Sequence, residues 1–169
     1  MTTVVREGFR KCAGAIIFNS KKEVIIGKRN AKFLCWQFPQ GGVDEGESFV
    51  EAASREAEEE LGINRASLQY VSEIPEIFHY AFPTNSWMIK EGFRGQGIKF
   101  SLFFWDGSLD SCDINKVTDG HPPEFTQLMW LSISNWDDIV RLVNMKEKSE
   151  IYASLKEPVI ETITSFVQK

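Results

Sequence analysis

Three carboxylates, Glu56, Glu59 and Glu60, stand at the spacing i, i+3, i+4, which puts them together on one side of a helix. Like charges that close repel one another, and helix stability gains nothing from the arrangement. A hard divalent cation would relieve the repulsion, because carboxylate oxygens are the ligands that Mg²⁺ and Mn²⁺ prefer. Arg55, four residues before Glu59, offsets part of it. A bare EAEEE run would ordinarily be a solvated acidic face. Here Gly41-Gly42 precede it and an arginine sits at a fixed offset, so the reading is a metal site.

These carboxylates need a helix to carry them. Ser48 and Glu51 form a capping box that starts one near Ser48, and Gly62 suits the left-handed position that ends it. At about 100° per residue, Val50, Ala53, Ala57 and Leu61 share the stripe expected to be buried, whereas Glu58 points away from the acidic cluster. Written out, GGVDEGESFVEAASREAEEELGI carries Gly41, Glu47, Arg55-Glu56, an aliphatic Ala57, Glu59-Glu60 and Gly62-Ile63 at the positions of the Nudix box. The chain resembles Nudix hydrolases. Ala57 is smaller than the residue usual there, which bears on packing more than on chemistry.

A length of 169 residues is expected to make one domain, residues 1–169, with room for a sizeable core. Thirteen Phe and five Trp in a chain that is 43% apolar speak for a globular protein. No run is long enough to span a membrane, and MTTVVREGFRKC lacks the apolar centre of a signal peptide. Cys12, Cys35 and Cys112 have neither metal-ligand spacing nor an even count, so a reduced, cytoplasmic setting is expected. The net charge of −5 argues against a surface that coats nucleic acid, but leaves room to grip one phosphorylated end with a few cations.

Along the chain, Ala13–Phe18 and Val24–Ile26 read as a hairpin. Pro39 and Gly41-Gly42 then read as a loop whose backbone can come close to phosphate or metal. Strand-like runs follow at 68–73, 77–82, 99–105 and 127–131, KFSLFFW being the strongest, with polar loops at 83–97 and 106–123. Ser134 is expected to cap a helix carrying Trp136, Ile139, Val140 and Val143. A helical tail at 149–168 is expected to break or restart at Pro158. This pattern predicts α+β or mixed α/β; the Nudix resemblance implies an α/β/α sandwich around a mixed sheet.

WQFPQGGVDEGE, with Phe9-Arg10, Tyr80 and Pro83, Gly95-Gln96 and Lys99, and Pro123-Glu124-Phe125, resembles the signature shared by RNA 5′-pyrophosphohydrolases and plant-type asymmetrical diadenosine tetraphosphate hydrolases. That resemblance implies metal ligation by Glu56, Glu59 and Glu60, with Glu124 joining from a loop and the carbonyl of Gln40 or Gly41 adding a ligand. One of the glutamates would position or deprotonate the attacking water, with Arg55 in the same catalytic group. Arg10 and Lys99 would touch polyphosphate, Tyr80 and Gln40 would meet the substrate, and a C-terminal lysine, Lys146 or Lys148, would contact phosphate. The implied cofactor is Mg²⁺, or Mn²⁺ in its place.

The expected reaction is hydrolysis of a phosphoanhydride, first in diadenosine tetraphosphate to ATP and AMP, alternatively in a 5′-triphosphorylated RNA end. No required protein partner is evident. The other class of reading is a non-catalytic module that senses a nucleotide or binds RNA, but none of the box carboxylates is missing. Only His79 and His121 occur, nothing prompts a nucleophilic triad, and there is no GxxxxGK or strand-borne GxGxxG loop. His79, beside Tyr80, is a candidate pocket residue.

Overall fold

The computed structural model describes residues 1–30, 34–115 and 122–169. In chain order the strands are β1 (Phe9–Phe18), β2 (Glu23–Arg29), β3 (Trp36–Gln37), β4 (Gln40–Gly42), β5 (Gln69–Glu73), β6 (Phe78–Ala81), β7 (Gly95–Phe104) and β8 (Phe125–Ser132). The helices are α1 (Phe49–Leu61), α2 (Trp87–Lys90), α3 (Trp136–Leu142) and α4 (Lys146–Val167).

β1 and β7 are covered on both faces, which is why they read as nearly continuous apolar runs instead of alternating ones. They pair in parallel from Phe9↔Gly95 to Phe18↔Phe104 and form the spine of one mixed sheet. Side chains alternate between the faces. Cys12, Ile16, Phe18, Ile98, Phe100 and Leu102 enter the core beneath α3 and α4. Ala13, Ala15, Ile17 and Phe103 enter a second core beneath α1, with Ala52, Ala53, Ala57 and Leu61 of that helix. The result is the expected α/β/α sandwich.

β1 and β2 meet only beside their turn, at Phe18↔Val24. They then diverge, and the 36–42 segment fills the gap, β3 pairing with β2 and β4 with β1. Gly41 and Gly42, expected in a loop, therefore lie in a three-residue strand, because Phe38-Pro39 carries the chain from one neighbour to the other. β8 runs antiparallel along β2, while β5 and β6 occupy successive stretches of β7.

Four other expectations need correction. β7 begins at Gly95, inside the expected loop, where pairing with Ala81 of β6 needs a residue without a side chain, since one there would strike the Tyr80 carbonyl. Ala52, not Val50, completes the fully buried face of α1; Val50 packs at its margin. Ser134 does not cap α3: Ser132 caps a short 3₁₀ turn at Ile133–Asn135, from which α3 continues. Pro158 does not break the last helix. An interior proline costs about 3 kcal/mol, but Leu155, Val159 and Ile163 are fully buried, and each such burial contributes roughly 1.5–3 kcal/mol. Among the described residues no helix is long and apolar enough to cross a membrane.

Candidate active site

Gly41 and Gly42 bring the chain's backbone against the chemistry. A side chain at Gly41 would run into the Glu56 carboxyl, and one at Gly42 into the Arg10 guanidinium. Neighbouring strand residues face opposite ways. β4 is therefore a thin partition, with carboxylates on its α1 side and a cation on the other.

Helix α1 is fixed at both ends. Ser48 and Glu51 form the reciprocal capping box, and Gly62 closes the helix at φ 71°, donating to the Glu58 carbonyl. Arg55 then ties the helix to the preceding loop. Its Nε and Nη2 grip both oxygens of Glu47 at 2.8 and 2.9 Å, and Nη2 also donates to the Gly42 carbonyl at 2.8 Å. Its Nη1 reaches Glu56 at 2.9 Å and Glu59 at 3.4 Å. With its donors turned onto protein groups, Arg55 positions the carboxylates. The bidentate hydrogen bond from Arg55 pulls the Glu47 carboxyl below its ordinary range, and Glu47 in return raises the guanidinium.

Glu56 has 12% of its side chain exposed and Glu59 34%. Desolvation, then the charge of Glu59, lifts the Glu56 carboxyl, although Arg55 opposes this. Glu60 is lifted well above the carboxylate range, first by desolvation and then by Glu56 and Glu124. A hydrogen bond between the two carboxyls pulls Glu56 down and pushes Glu60 up, and the Gln40 amide donates to Glu60 Oε2 at 3.2 Å. Glu58, as expected, faces elsewhere and pairs with Arg65 at 3.1 Å.

Among the described residues no three acidic, histidine or cysteine side chains already close into a metal cage. The donor set nevertheless fits a hard divalent ion. Glu56, Glu59, Glu60 and Glu124 offer only oxygens, and an ion there would offset the pressure that desolvation first, and neighbouring carboxylates after it, put on Glu56 and Glu60. The Gln40 amide, bonded to Glu60, brings the backbone of the Gln40–Gly41 segment beside them.

Across the partition lie the groups suited to phosphate and nucleotide. Arg10 pairs across the sheet with Gln96, which also faces Tyr80 across β6 and donates to its hydroxyl at 2.5 Å. Burial, chiefly, holds the Tyr80 phenol protonated, and Gln40 hydrogen-bonds it as well. Lys148, not Lys146, enters this side: Lys146 is exposed at the start of α4, whereas Lys148 is buried and donates to Gln37 Oε1 at 2.7 Å. Desolvation, then the nearby Arg29 charge, lowers the Lys148 ammonium to about 8. Arg29 in turn pairs with Glu124 at 3.4 Å. Arg29, Gln37 and Gln96 were given no role from sequence; Gln37 and Gln96 lie within quoted motif fragments and Arg29 does not, and only strand pairing brings them together.

Lys99 stands apart from Arg10. It projects from the α1 face of β7, pairs with Glu73 at 2.9 Å and lies over the Phe49 ring. His79 points to the amino-terminal segment, its Nε2 accepting the Arg6 amide at 3.0 Å. His121 lies outside the described residues.

Comparison with known proteins gives this geometry a family. The model of the NUDIX domain matches residues 8–154. An RNA pyrophosphohydrolase of Bartonella henselae is 34% identical over 164 residues, covering 88% of this chain and 92% of that one. Another of Rhizobium meliloti is 37% identical over 132 residues, covering 72% and 78%. A crystal structure of a C. elegans Ap4A hydrolase binary complex shares the fold at a TM-score of 0.62 and 19% identity, covering 90% of this chain and 98% of its own. Nudix hydrolases generally use divalent metal ions, in keeping with the oxygen-rich set at Gly41. By family match and by relatives alike, the chain belongs to the Nudix pyrophosphohydrolases.

Proposed function

We propose that this protein hydrolyses the 5′-triphosphate of RNA to a 5′-monophosphate, releasing pyrophosphate, with Mg²⁺ held by Glu56, Glu59, Glu60 and Glu124. The reading is carried by the two-sided site about Gly41, together with relatives of that printed activity that match most of both chains. Sequence alone puts diadenosine tetraphosphate first; the activity printed for the relatives supports taking RNA first here.

Polyphosphate resists water because its own negative charge repels a nucleophile. Bound divalent metal supplies charge neutralisation and lowers the pKa of coordinated water. The chain's residues do the rest. Arg10 and Lys148 hold phosphate oxygens on the far side of β4, Tyr80 and Gln40 meet the nucleoside, and Arg55 keeps Glu56 and Glu59 aimed at the reacting phosphorus. Water forms the new P–O bond, the bond to the bridging oxygen breaks, and a glutamate, Glu59 in this reading, takes the proton. Pyrophosphate leaves.

The second reading is asymmetrical cleavage of diadenosine tetraphosphate, whose hydrolases share the WQFPQGGVDEGE signature with the first. A competition assay in Mg²⁺ separates them by kcat/KM for a short triphosphorylated RNA and for the dinucleotide. Preference for RNA, with KM rising steeply with salt as contacts extend along the backbone, supports the proposal. Preference for the dinucleotide replaces it with the second reading.

A further inference from the structure

One face of the sheet carries a buried polar chain in which the hydrolytic reading leaves two members, Cys12 and Gln96, without a role. Arg10 and Tyr80 are both cross-strand partners of Gln96, and Cys12, two residues beyond Arg10, shares their face. Cys12 is wholly buried and Gln96 is 5% exposed, so their polar atoms depend on one another for partners. The Cys12 thiol donates to Gln96 Oε1 at 2.8 Å, Gln96 Nε2 donates to the Tyr80 hydroxyl, and Arg10 Nη1 lies 3.9 Å from the Cys12 sulfur.

A glutamine amide has an accepting end and a donating end, and turning it over exchanges them. Nothing in the Tyr80 hydroxyl selects one orientation, since it both donates and accepts. The thiol selects it. Facing a donor, the amide oxygen turns to Cys12 and the nitrogen to Tyr80. The tyrosine oxygen then accepts from Gln96 and also meets the side chain of Gln40, whose backbone amide holds Glu60. Burial, with only partial opposition from Arg10, pushes the thiol up to about 11, so it remains a donor at neutral pH.

We propose that Cys12 is a positioning residue of the polyphosphate site: its thiol hydrogen orients the Gln96 amide and so aims the Tyr80 hydroxyl. An apolar side chain of similar size would fill the same space in the core. It would not choose between the two amide orientations. The inference rests on the proposed reading of the site as one that holds a nucleoside polyphosphate.

The test compares Cys12→Ala and Cys12→Ser, each alone and with Tyr80→Phe, by KM and kcat on triphosphorylated RNA. The Gln96 side-chain amide is followed by ¹⁵N NMR in the same proteins without substrate. Cys12→Ala is expected to raise KM about tenfold, the scale of one lost hydrogen bond, with kcat within about threefold. It should also shift the Gln96 amide signals. Cys12→Ser, which keeps a donor, should restore both, and in the Tyr80→Phe background Cys12→Ala should add nothing further to KM. The proposal is overturned if Cys12→Ala leaves the Gln96 signals unchanged, if serine rescues no better than alanine, or if the KM effect persists without the Tyr80 hydroxyl. If the wild type cleaves no RNA triphosphate, the substrate reading fails, and the amide spectra still decide the role of Cys12.

Discussion

Replacing Gly41 with alanine adds one methyl group where the Glu56 carboxyl now lies. To regain ordinary contact the carboxyl must retreat by roughly 1 Å or more. It is the free end of a flexible side chain, so it can swing aside, and the stability penalty falls at the low end of overpacking, about 1 kcal/mol. The catalytic penalty is larger, because a 1 Å misplacement in an active site costs about 100-fold in rate. Gly46→Ala is the opposite case. Gly46 has φ +80° and nothing within 4 Å of an added methyl, so alanine there meets backbone strain of about 1–2 kcal/mol and no side chain. Steady-state hydrolysis and thermal unfolding of both variants separate the effects. Gly41→Ala should lose about 100-fold in kcat and, in a chain of this length, about 2–4 °C in Tm. Gly46→Ala should lose Tm and keep its activity. A Gly41→Ala enzyme within threefold of wild type would refute the reasoning, since Glu56 would then not need its present place.

Other expectations follow from the same contacts. Arg55→Ala leaves Glu47 and Glu56 without their shared cation; with Arg55 17% exposed, the loss should be roughly 3 kcal/mol in denaturant unfolding at neutral pH. The Glu47 carboxyl is depressed in the folded state, so its contribution is present above the unfolded value of 4.5 and disappears as pH falls through the lower folded one. The loss in Arg55→Ala should therefore shrink in acid. For Lys148, lowered to about 8, the charge is lost as pH rises past that value. KM for a triphosphate should climb above about pH 8 in the wild type, and that limb should be absent in Lys148→Met. Pro158→Ala restores an amide donor inside a continuous helix and should stabilise by about 1–3 kcal/mol, read as a higher Tm with unchanged kcat.

The carboxylate side of the site was legible because it is local. Spacing within α1 places Glu56, Glu59 and Glu60 together, and the caps at Ser48 and Gly62 depend only on nearby residues. The opposite side is assembled by strand pairing. Gln96 gains its place from being opposite both Arg10 and Tyr80, and no periodicity within one segment announces that. Lys146 and Lys148 could not be separated until the start and rotation of α4 were known. The errors of fold have the same origin. Pro158 reads locally as a break, yet the buried contacts of Leu155, Val159 and Ile163 carry the helix through it. Gly95 reads as loop, yet it is the residue whose missing side chain lets β6 lie against β7.

The most direct test of the central claim is single-turnover release of pyrophosphate from 5′-triphosphorylated RNA in Mg²⁺ by the wild type and by Glu59→Gln. The account predicts metal-dependent release by the wild type and a loss of about 10²–10⁴-fold in the variant, the range for removing a positioned base. Release at the wild-type rate by Glu59→Gln would contradict it, and the chemistry would have to be sought away from α1.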